Sequence, residues 1–146
     1  CLRSTPALAG CAPDVVDFRW PDGKAHFSVE ISDDPAERAK GLMFREKLAA
    51  GAGMLFAYDS PGTVALWMKN TALPLDLVFI GSDGRVRHIA ANAVPYDETA
   101  IPGGDGIQFV LEINGGLAAR LGLHAGAEMR HPLVDPALAA WPCATP

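Results

Sequence analysis

Alternating apolar and polar residues dominate the chain and predict short β-strands. Residues 15–20 and 25–31 alternate in this way on either side of a Pro-Asp-Gly-Lys segment, which predicts a β-hairpin. A second hairpin is predicted from residues 75–80 and 85–90, which flank Gly-Ser-Asp-Gly. Four further segments have strand character: 53–58, 63–68, 107–113 and 127–131. About eight short strands joined mainly by hairpins predict an α+β, mainly β protein with an antiparallel, barrel-like sheet.

Helix signals are few and local. Asp34-Pro35-Ala36-Glu37 combines a capping side chain with a proline at the first helical position, and Gly41 can end the helix in a left-handed conformation. Leu117 and Leu121 stand at helical spacing shortly before a glycine, and Arg45 begins a further possible turn of helix. The sequence therefore predicts two or three short helices beside the sheet.

A long loop is predicted at residues 92–106. It carries two prolines and three acidic residues, and it ends in a glycine-rich segment. Structureless segments of this length are uncommon in compact domains and often serve as lids or binding loops. We therefore expect this loop to cover a functional site.

Composition narrows the class of protein. The chain has 146 residues, of which 49% are hydrophobic and 20% are charged, and its net charge is −5. This length suits one domain, which we place at residues 10–146. The acidic balance gives no electrostatic reason to expect a nucleic-acid partner. No apolar run approaches the roughly 20 residues that span a bilayer, so no transmembrane segment is predicted.

The N-terminal residues resemble the end of an export signal. Ala7-Leu8-Ala9 matches a signal-peptidase site, so residues 1–9 are predicted to be a signal-peptide remnant. Leu8-Ala9-Gly10-Cys11 also matches a lipobox, in which Cys11 would be lipidated. We favour cleavage before Gly10 and a disulfide between Cys11 and Cys143, because lipidation would leave Cys143 alone. Both interpretations predict a periplasmic or secreted protein.

Asp76 is the most unusual charge in the chain. It lies in an apolar run, residues 75–80, that is hydrophobic on both of its faces, so we expect its side chain to be partly buried. Burying an unpaired charge is costly, and Lys69 and Arg45 are the predicted counter-charges. Such a pair either fixes a loop or forms a ligand site, and we favour the structural role.

Trp67, Lys69 and Asn70 form a candidate binding site for a small polar ligand or sugar. An indole face stacks on the apolar hydrogens of a sugar ring, while amide and ammonium groups bond to hydroxyls. The alternative, which we favour, is a core tryptophan beside a turn.

Metal and cofactor chemistry has no signature in the sequence. The four histidines lack metal-ligand spacing, and phosphate-binding and nucleophile motifs are not found. We predict no metal and no cofactor. An enzyme would depend on carboxylates, and the candidates are Asp76 with Glu112 or Glu98.

Several motifs together resemble the domain of unknown function 192 family. The resemblance spans about residues 27–130 and rests on the segments ERAKGLMFR (37–45), GMLF (53–56), WMKNT (67–71), PLD (74–76) and LEINGG (111–116). It implies a compact, β-rich and often exported domain, and it implies no particular reaction or cofactor.

Three hypotheses follow. The leading one is a monomeric, exported binding domain without enzymatic activity, whose ligand is a cell-envelope glycan, another envelope polymer or a protein partner. The second is a hydrolase of envelope material. The third is an accessory subunit of an exported complex, which an exposed apolar patch would indicate. The candidate ligand-binding residues are Arg45, Trp67, Lys69, Asn70, Asp76 and Glu112.

Overall fold

Residues 10–143 are described in the computed structural model, and within them seven strands form a single sheet that curves into a half-barrel. In chain order the elements are β1 Val15–Trp20, β2 Gly23–Ser32, α1 Pro35–Lys40, β3 Ala52–Leu66, β4 Leu75–Gly81, β5 Val86–Ala93, β6 Ile101–Asn114, α2 Leu117–Leu121 and β7 Glu128–Arg130. The strand order across the sheet is β5-β4-β6-β3-β2-β1-β7. The prediction of a mainly β, barrel-like fold with short helices is confirmed.

The sheet is mixed rather than purely antiparallel. Strands β2 and β3 run parallel, with Ser28 opposite Ala52 and Ser32 opposite Phe56. The chain between them passes through α1 and the segment 41–51, and a crossover of this kind brings the next strand back in the same direction. The other strand pairs are antiparallel, as predicted.

Strand β3 unites two predicted strands. Residues 59–62 were expected to turn the chain, but β6 pairs with β3 on both sides of them, at Ala57 and at Gly62. The register shifts between these two positions, so the turn-like composition produces an irregularity inside a long strand. This union explains seven strands in place of the predicted eight.

The predicted loop at 92–106 is shorter than expected. Strand β5 continues to Ala93 and β6 starts at Ile101, which leaves residues 94–100 as the connection. The glycine-rich end is a strand because it pairs with β3, and a Cβ at Gly103 would lie only 2.1 Å from Cδ1 of Phe79. The helical turn predicted from Arg45 was also wrong, since residues 45–49 adopt no helix.

Helix α1 begins at its predicted cap, and the two described helices end at the predicted glycines, although the Gly41 ψ of −130° lies outside the left-handed helical region. The Asp34 side chain accepts a 2.7 Å hydrogen bond from the Glu37 backbone N–H, Pro35 starts α1, and Gly41 ends it with a φ of 50°. Helix α2 ends at Gly122, whose φ is 79°.

Apolar side chains cover both faces of the sheet. One face packs residues of β1, β2 and α2 against alternate residues of β4 and β6, including Phe18, Phe27, Val78 and Leu111. The opposite face packs a second set that includes Leu42, Phe56, Leu77 and Val110. All seven residues of β4 are buried, which confirms that this strand is covered on both sides.

The Cys11–Cys143 disulfide is present. The two Cα atoms lie 5.4 Å apart, and the bond spans 132 positions of the sequence. The signal-peptide remnant at residues 1–9 lies outside the described residues, so that assignment and the one-domain boundary at residues 10–146 stay predictions.

Replacing both bonded cysteines by serine should destabilise the protein by about 3–5 kcal/mol, because the bond restricts a long loop in the unfolded chain. Urea unfolding of the Cys11→Ser/Cys143→Ser variant and the parent, each under non-reducing conditions, measures this difference. Equal unfolding midpoints would show that the disulfide makes no net contribution to stability.

Candidate functional site

Asp76 is fully buried, and backbone N–H groups satisfy its carboxylate. Oδ1 accepts hydrogen bonds of 2.9 Å from the N–H groups of Asn92 and Gly116, and Oδ2 accepts one of 2.9 Å from Ala118. These donors belong to the end of β5 and to the start of α2. The positive φ angles of Asn92, 53°, and Gly116, 83°, belong to the sharp bends at which two of the donors are presented. Asp76 therefore fixes the end of β5 and the start of α2 to strand β4.

The predicted counter-charges of Asp76 are engaged elsewhere. The Arg45 guanidinium makes a two-pronged ion pair with Glu30, in which Nη2 and Oε1 lie 2.8 Å apart. The Lys69 ammonium lies over the Trp67 ring, 5.1 Å from its centroid. The prediction that Lys69 or Arg45 neutralises Asp76 was wrong, because three oriented N–H dipoles perform that task.

Asp76 and Glu112 lie on opposite faces of the sheet. Asp76 stands opposite Ile113 in the β4–β6 pair, whereas Glu112 stands opposite Leu77. Since successive side chains of a strand point to opposite faces, the two carboxyl groups do not converge. Glu98 is exposed in the 94–100 connection. The hydrolase hypothesis needs Asp76 to share an open cleft with Glu112 or with Glu98. Neither pair of carboxyl groups meets in such a cleft.

Glu112 is buried among apolar side chains on the second face. Met54 and Leu77 flank it on the neighbouring strands, and a Cβ at Gly41 would lie 3.7 Å from its Oε1. Within the described part of the chain, its carboxyl group has no hydrogen-bond partner. Burial raises the pKa of Glu112 to about 8, because the charged form loses its hydration. The side chain is therefore protonated at neutral pH.

Trp67, Lys69 and Asn70 lie in one turn, and backbone hydrogen bonds join Phe44 and Tyr96 to that turn. We call these five residues the aromatic patch. The exposed fractions of Phe44, Trp67 and Tyr96 are 72%, 45% and 63%. Exposed apolar groups that form one contiguous patch are typical of interaction sites.

Backbone hydrogen bonds hold the aromatic patch together. The Phe44 N–H donates to the Asn70 carbonyl at 2.8 Å, and the Tyr96 N–H donates to the Thr71 carbonyl at 3.1 Å. The Met68 N–H donates to Asp97 at 2.8 Å, so the 94–100 connection is fastened to the same turn. Residues 94–100 therefore lie beside the Trp67–Thr71 turn.

Three patch residues adopt the left-handed backbone region. The φ angles of Phe44, Asn70 and Tyr96 are 66°, 54° and 65°. This conformation is uncommon for the bulky Phe44 and Tyr96, at each of which it costs of order 1–3 kcal/mol, whereas asparagine adopts it readily. Such strain concentrates at functional sites, where the surrounding structure maintains it.

The composition of the patch combines rings with polar groups. Lys69 places its ammonium over the Trp67 ring, and the Asn70 amide makes only a 4.0 Å contact with the Met43 sulfur. Phe44 and Tyr96 were not predicted to belong here. Their sequence contexts contain no chemical signature, and only the left-handed turns and tertiary hydrogen bonds bring them to Trp67.

Metal-ligand clusters and long apolar helices are not found in residues 10–143. No group of three or more His, Cys, Asp or Glu side chains there could hold a metal ion. No helix of this region is long and apolar enough to cross a bilayer.

Replacing Asp76 by asparagine should lower the free energy of unfolding by about 2–4 kcal/mol, because the Nδ2 group that replaces one carboxylate oxygen is a donor and cannot accept a backbone hydrogen bond. The matched control is Asp105→Asn, since the exposed Asp105 carboxylate accepts one hydroxyl bond, from Thr63. Chemical unfolding at neutral pH measures both variants. An unchanged midpoint for the Asp76 variant would contradict the fastening role.

Because the pKa of Glu112 is raised in the folded protein, the free energy of unfolding should fall as the pH rises from 4.5 to about 8. Over that interval the unfolded carboxyl has released its proton and the folded one has kept it. Stability then decreases by at most about 1.4 kcal/mol per pH unit.

Glu112→Gln keeps a neutral side chain of similar size and should remove this pH dependence. Thermal unfolding across pH 5–8 compares it with the parent and with Glu98→Gln, an exposed control. Equal pH profiles for the parent and the Glu112 variant would show that Glu112 titrates normally.

Comparisons with known proteins agree with the fold. The model of the domain of unknown function 192 family, described as Uncharacterized ACR, matches residues 19–131. A protein of unknown function from Novosphingobium aromaticivorans is 43% identical, with a TM-score of 0.77, covering 88% of this chain and 99% of its own. A Sinorhizobium meliloti protein described as a candidate transcription regulator is 40% identical, with a TM-score of 0.78, covering 83% and 95%.

Curated proteins contain no match to the chain. The family match nevertheless covers the aromatic patch, Asp76 and Glu112. The chain belongs to the domain of unknown function 192 family.

Proposed function

We propose that this chain is an exported binding domain and that the aromatic patch contacts a cell-envelope glycan. The observation that carries the proposal is that backbone hydrogen bonds join the exposed Phe44 and Tyr96 to the turn that follows the exposed Trp67, with positive φ angles at Phe44, Asn70 and Tyr96. A folded protein that tolerates both exposed rings and backbone strain at one place has a use for the arrangement.

Carbohydrate chemistry suits the groups that the patch presents. The apolar faces of pyranose rings stack on indole and phenol rings, and their hydroxyls need donors and acceptors close by. Trp67 and Tyr96 supply the rings, and the Asn70 amide and Lys69 ammonium supply the polar groups. Because backbone hydrogen bonds fasten the turn on two sides, little order has to be gained when a ligand binds.

An envelope location agrees with the disulfide. A bond between Cys11 and Cys143 persists in an oxidising compartment and is rare in a reducing one. Export, by cleavage before Gly10 or through lipidation of Cys11, remains part of the proposal.

A protein partner is the second candidate ligand. Phe44 is 72% exposed. Val94, in the 94–100 connection that contains Tyr96, is 62% exposed. Valine has no ring to stack on a sugar, so its exposure favours an apolar protein surface. This candidate corresponds to the accessory-subunit hypothesis.

Catalysis and nucleic-acid binding receive less support. Asp76 is saturated by backbone donors and Glu112 is buried on the other face, so a general acid and base are not paired. A net charge of −5 gives no attraction for a phosphate backbone.

Trp67→Ala should weaken binding to an envelope glycan at least about tenfold, because a stacking aromatic at the centre of a site typically dominates its affinity. An oligomer of β-1,4-linked N-acetylglucosamine serves as the probe, and isothermal titration calorimetry measures its affinity for the mature protein. Trp67→Phe, which keeps a ring, should retain most of the binding.

Leu138→Ala is the matched control, since Leu138 is 54% exposed and lies outside the patch. Affinity unchanged in the Trp67→Ala variant, or lost equally in the Leu138→Ala variant, would refute the assignment of the patch. Lack of glycan binding together with site-specific photo-crosslinking from position 44 to one envelope protein would support the second candidate.

A further inference from the structure

The sheet is open where its two outer strands, β5 and β7, part from each other. At the start of β5, the Val86 N–H donates to the Ala127 carbonyl and the Val86 carbonyl accepts from the Gly126 N–H, each at 2.8 Å. Beyond Val86, residues 87–91 make no backbone hydrogen bond to any described segment except β4. The half-barrel therefore has an unpaired edge along this part of β5.

The register of β4 directs the backbone groups of Ile89 to this edge. The Gly115 N–H donates to the Pro74 carbonyl at 2.9 Å, and by the alternation of an antiparallel pair Val78 then exchanges its hydrogen bonds with Leu111 of β6. Ile89 stands opposite Val78 on the other side of β4. Because the N–H and C=O of Val78 are directed to β6, those of Ile89 are directed away from β4. Ile89 thus presents one donor and one acceptor at the open edge.

A groove of about 340 Å³ runs along this edge, between β5 and the chain that forms α2 and the residues after it. Its lining contains four alanines, among them Ala91 on β5 and Ala119 on α2, together with Ile89 and Leu123. Small side chains leave room for another backbone to approach. Unpaired N–H and C=O groups beside such room are the features to which an added β-strand binds.

The charge along the groove is positive. Arg87 lines it, and none of the described residues that line it carries a carboxylate. The Arg87 side chain is 52% exposed, and its ion pair with Asp83 is long, at 4.0 Å, so the guanidinium can bind a second carboxylate. His88 also lines the groove, but its ring stacks on Phe79, with centroids 5.7 Å apart. Arg87 therefore supplies the charge that selects a partner.

We propose that the open edge of β5 binds an extended, acidic segment of a partner protein, which adds to the sheet as a strand. Ile89 bonds to the backbone of that segment, the alanine-lined groove accepts its small apolar side chains, and Arg87 pairs with its carboxylate. This surface is separate from the aromatic patch, and the proposal does not depend on glycan binding.

The test is an NMR titration of the ¹⁵N-labelled mature protein with the acetylated and amidated pentapeptide Ala-Val-Asp-Val-Ala. Saturable shifts of the Ile89 and Ala119 amides are expected, with a dissociation constant on the order of 1 mM for so short a peptide. The Ile89 amide should also exchange more slowly with water in the complex, because it gains a hydrogen bond.

Changes to the peptide test strand addition and charge separately. Successive N–H groups of a strand face its two edges in turn, so N-methylation at alternate positions blocks one edge and spares the other. One of the two methylated forms should lose at least about tenfold in affinity, and the complementary form should bind like the parent peptide. A peptide with asparagine in place of aspartate should bind about twofold to fivefold more weakly.

Changes to the protein test the groove. Ala119→Phe should fill it and abolish the shifts, whereas Leu121→Phe, at an exposed position of the same helix outside the groove, is the matched control. Arg87→Gln should remove the preference for the aspartate peptide, and Arg120→Gln is its control. All four positions are exposed, so the melting temperatures should stay close to that of the parent.

Four results would overturn the proposal. One is the lack of saturable shifts at about ten times the expected dissociation constant. Another is equal binding of the parent peptide and both methylated forms, which would mean contact without strand pairing. The third is binding that survives Ala119→Phe, and the fourth is an asparagine peptide that binds as tightly as the aspartate peptide. None of these results bears on glycan binding at the patch, so the two proposals can fail independently.

Discussion

The hydrogen bonds of the Asp76 carboxylate are the interaction on which the rest of the structure depends. They join β4 to the end of β5 through Asn92 and to the start of α2 through Gly116 and Ala118. The chain that leaves Asn92 becomes the 94–100 connection, which bonds to the Trp67–Thr71 turn through Tyr96 and Asp97. Asp76 on one face of the sheet is thus connected, through Asn92, to the segment that carries the exposed Tyr96. Removing an acceptor from such a position leaves donors unsatisfied, which costs more than the bond itself contributes.

Local features of the fold could be predicted from the sequence because side chains encode them. The capping residues around Glu37, the hairpin between β4 and β5 and the disulfide each depend on particular residue types at particular spacings. The parallel β2–β3 pair and the continuous β3 could not be predicted, since they depend on pairing between distant segments. Residues 59–62 have the composition of a turn, but β6 imposes a strand on them.

The candidate site was predictable only where it is contiguous in sequence. Trp67, Lys69 and Asn70 are near neighbours in sequence, so one turn presents all three. The partners of Asp76 could not be inferred, since backbone N–H groups belong to every residue and carry no mark in the sequence. The sequence suggested cationic partners for Asp76 instead, and Arg45 and Lys69 were the predicted ones. Phe44 and Tyr96 reach the patch through left-handed conformations that neither residue type favours.

The buried polar groups on the two faces of the sheet differ in how many hydrogen bonds they make. Asp76 is fully hydrogen-bonded on one face, whereas Glu112 lacks a hydrogen-bond partner among the described residues on the other. The pairing of β2 with β3 places Ser32 on the same face as Phe56 and Glu112, and its hydroxyl is also unpartnered. Leaving polar groups unsatisfied reduces stability, and natural proteins accept that loss mainly where it serves a function.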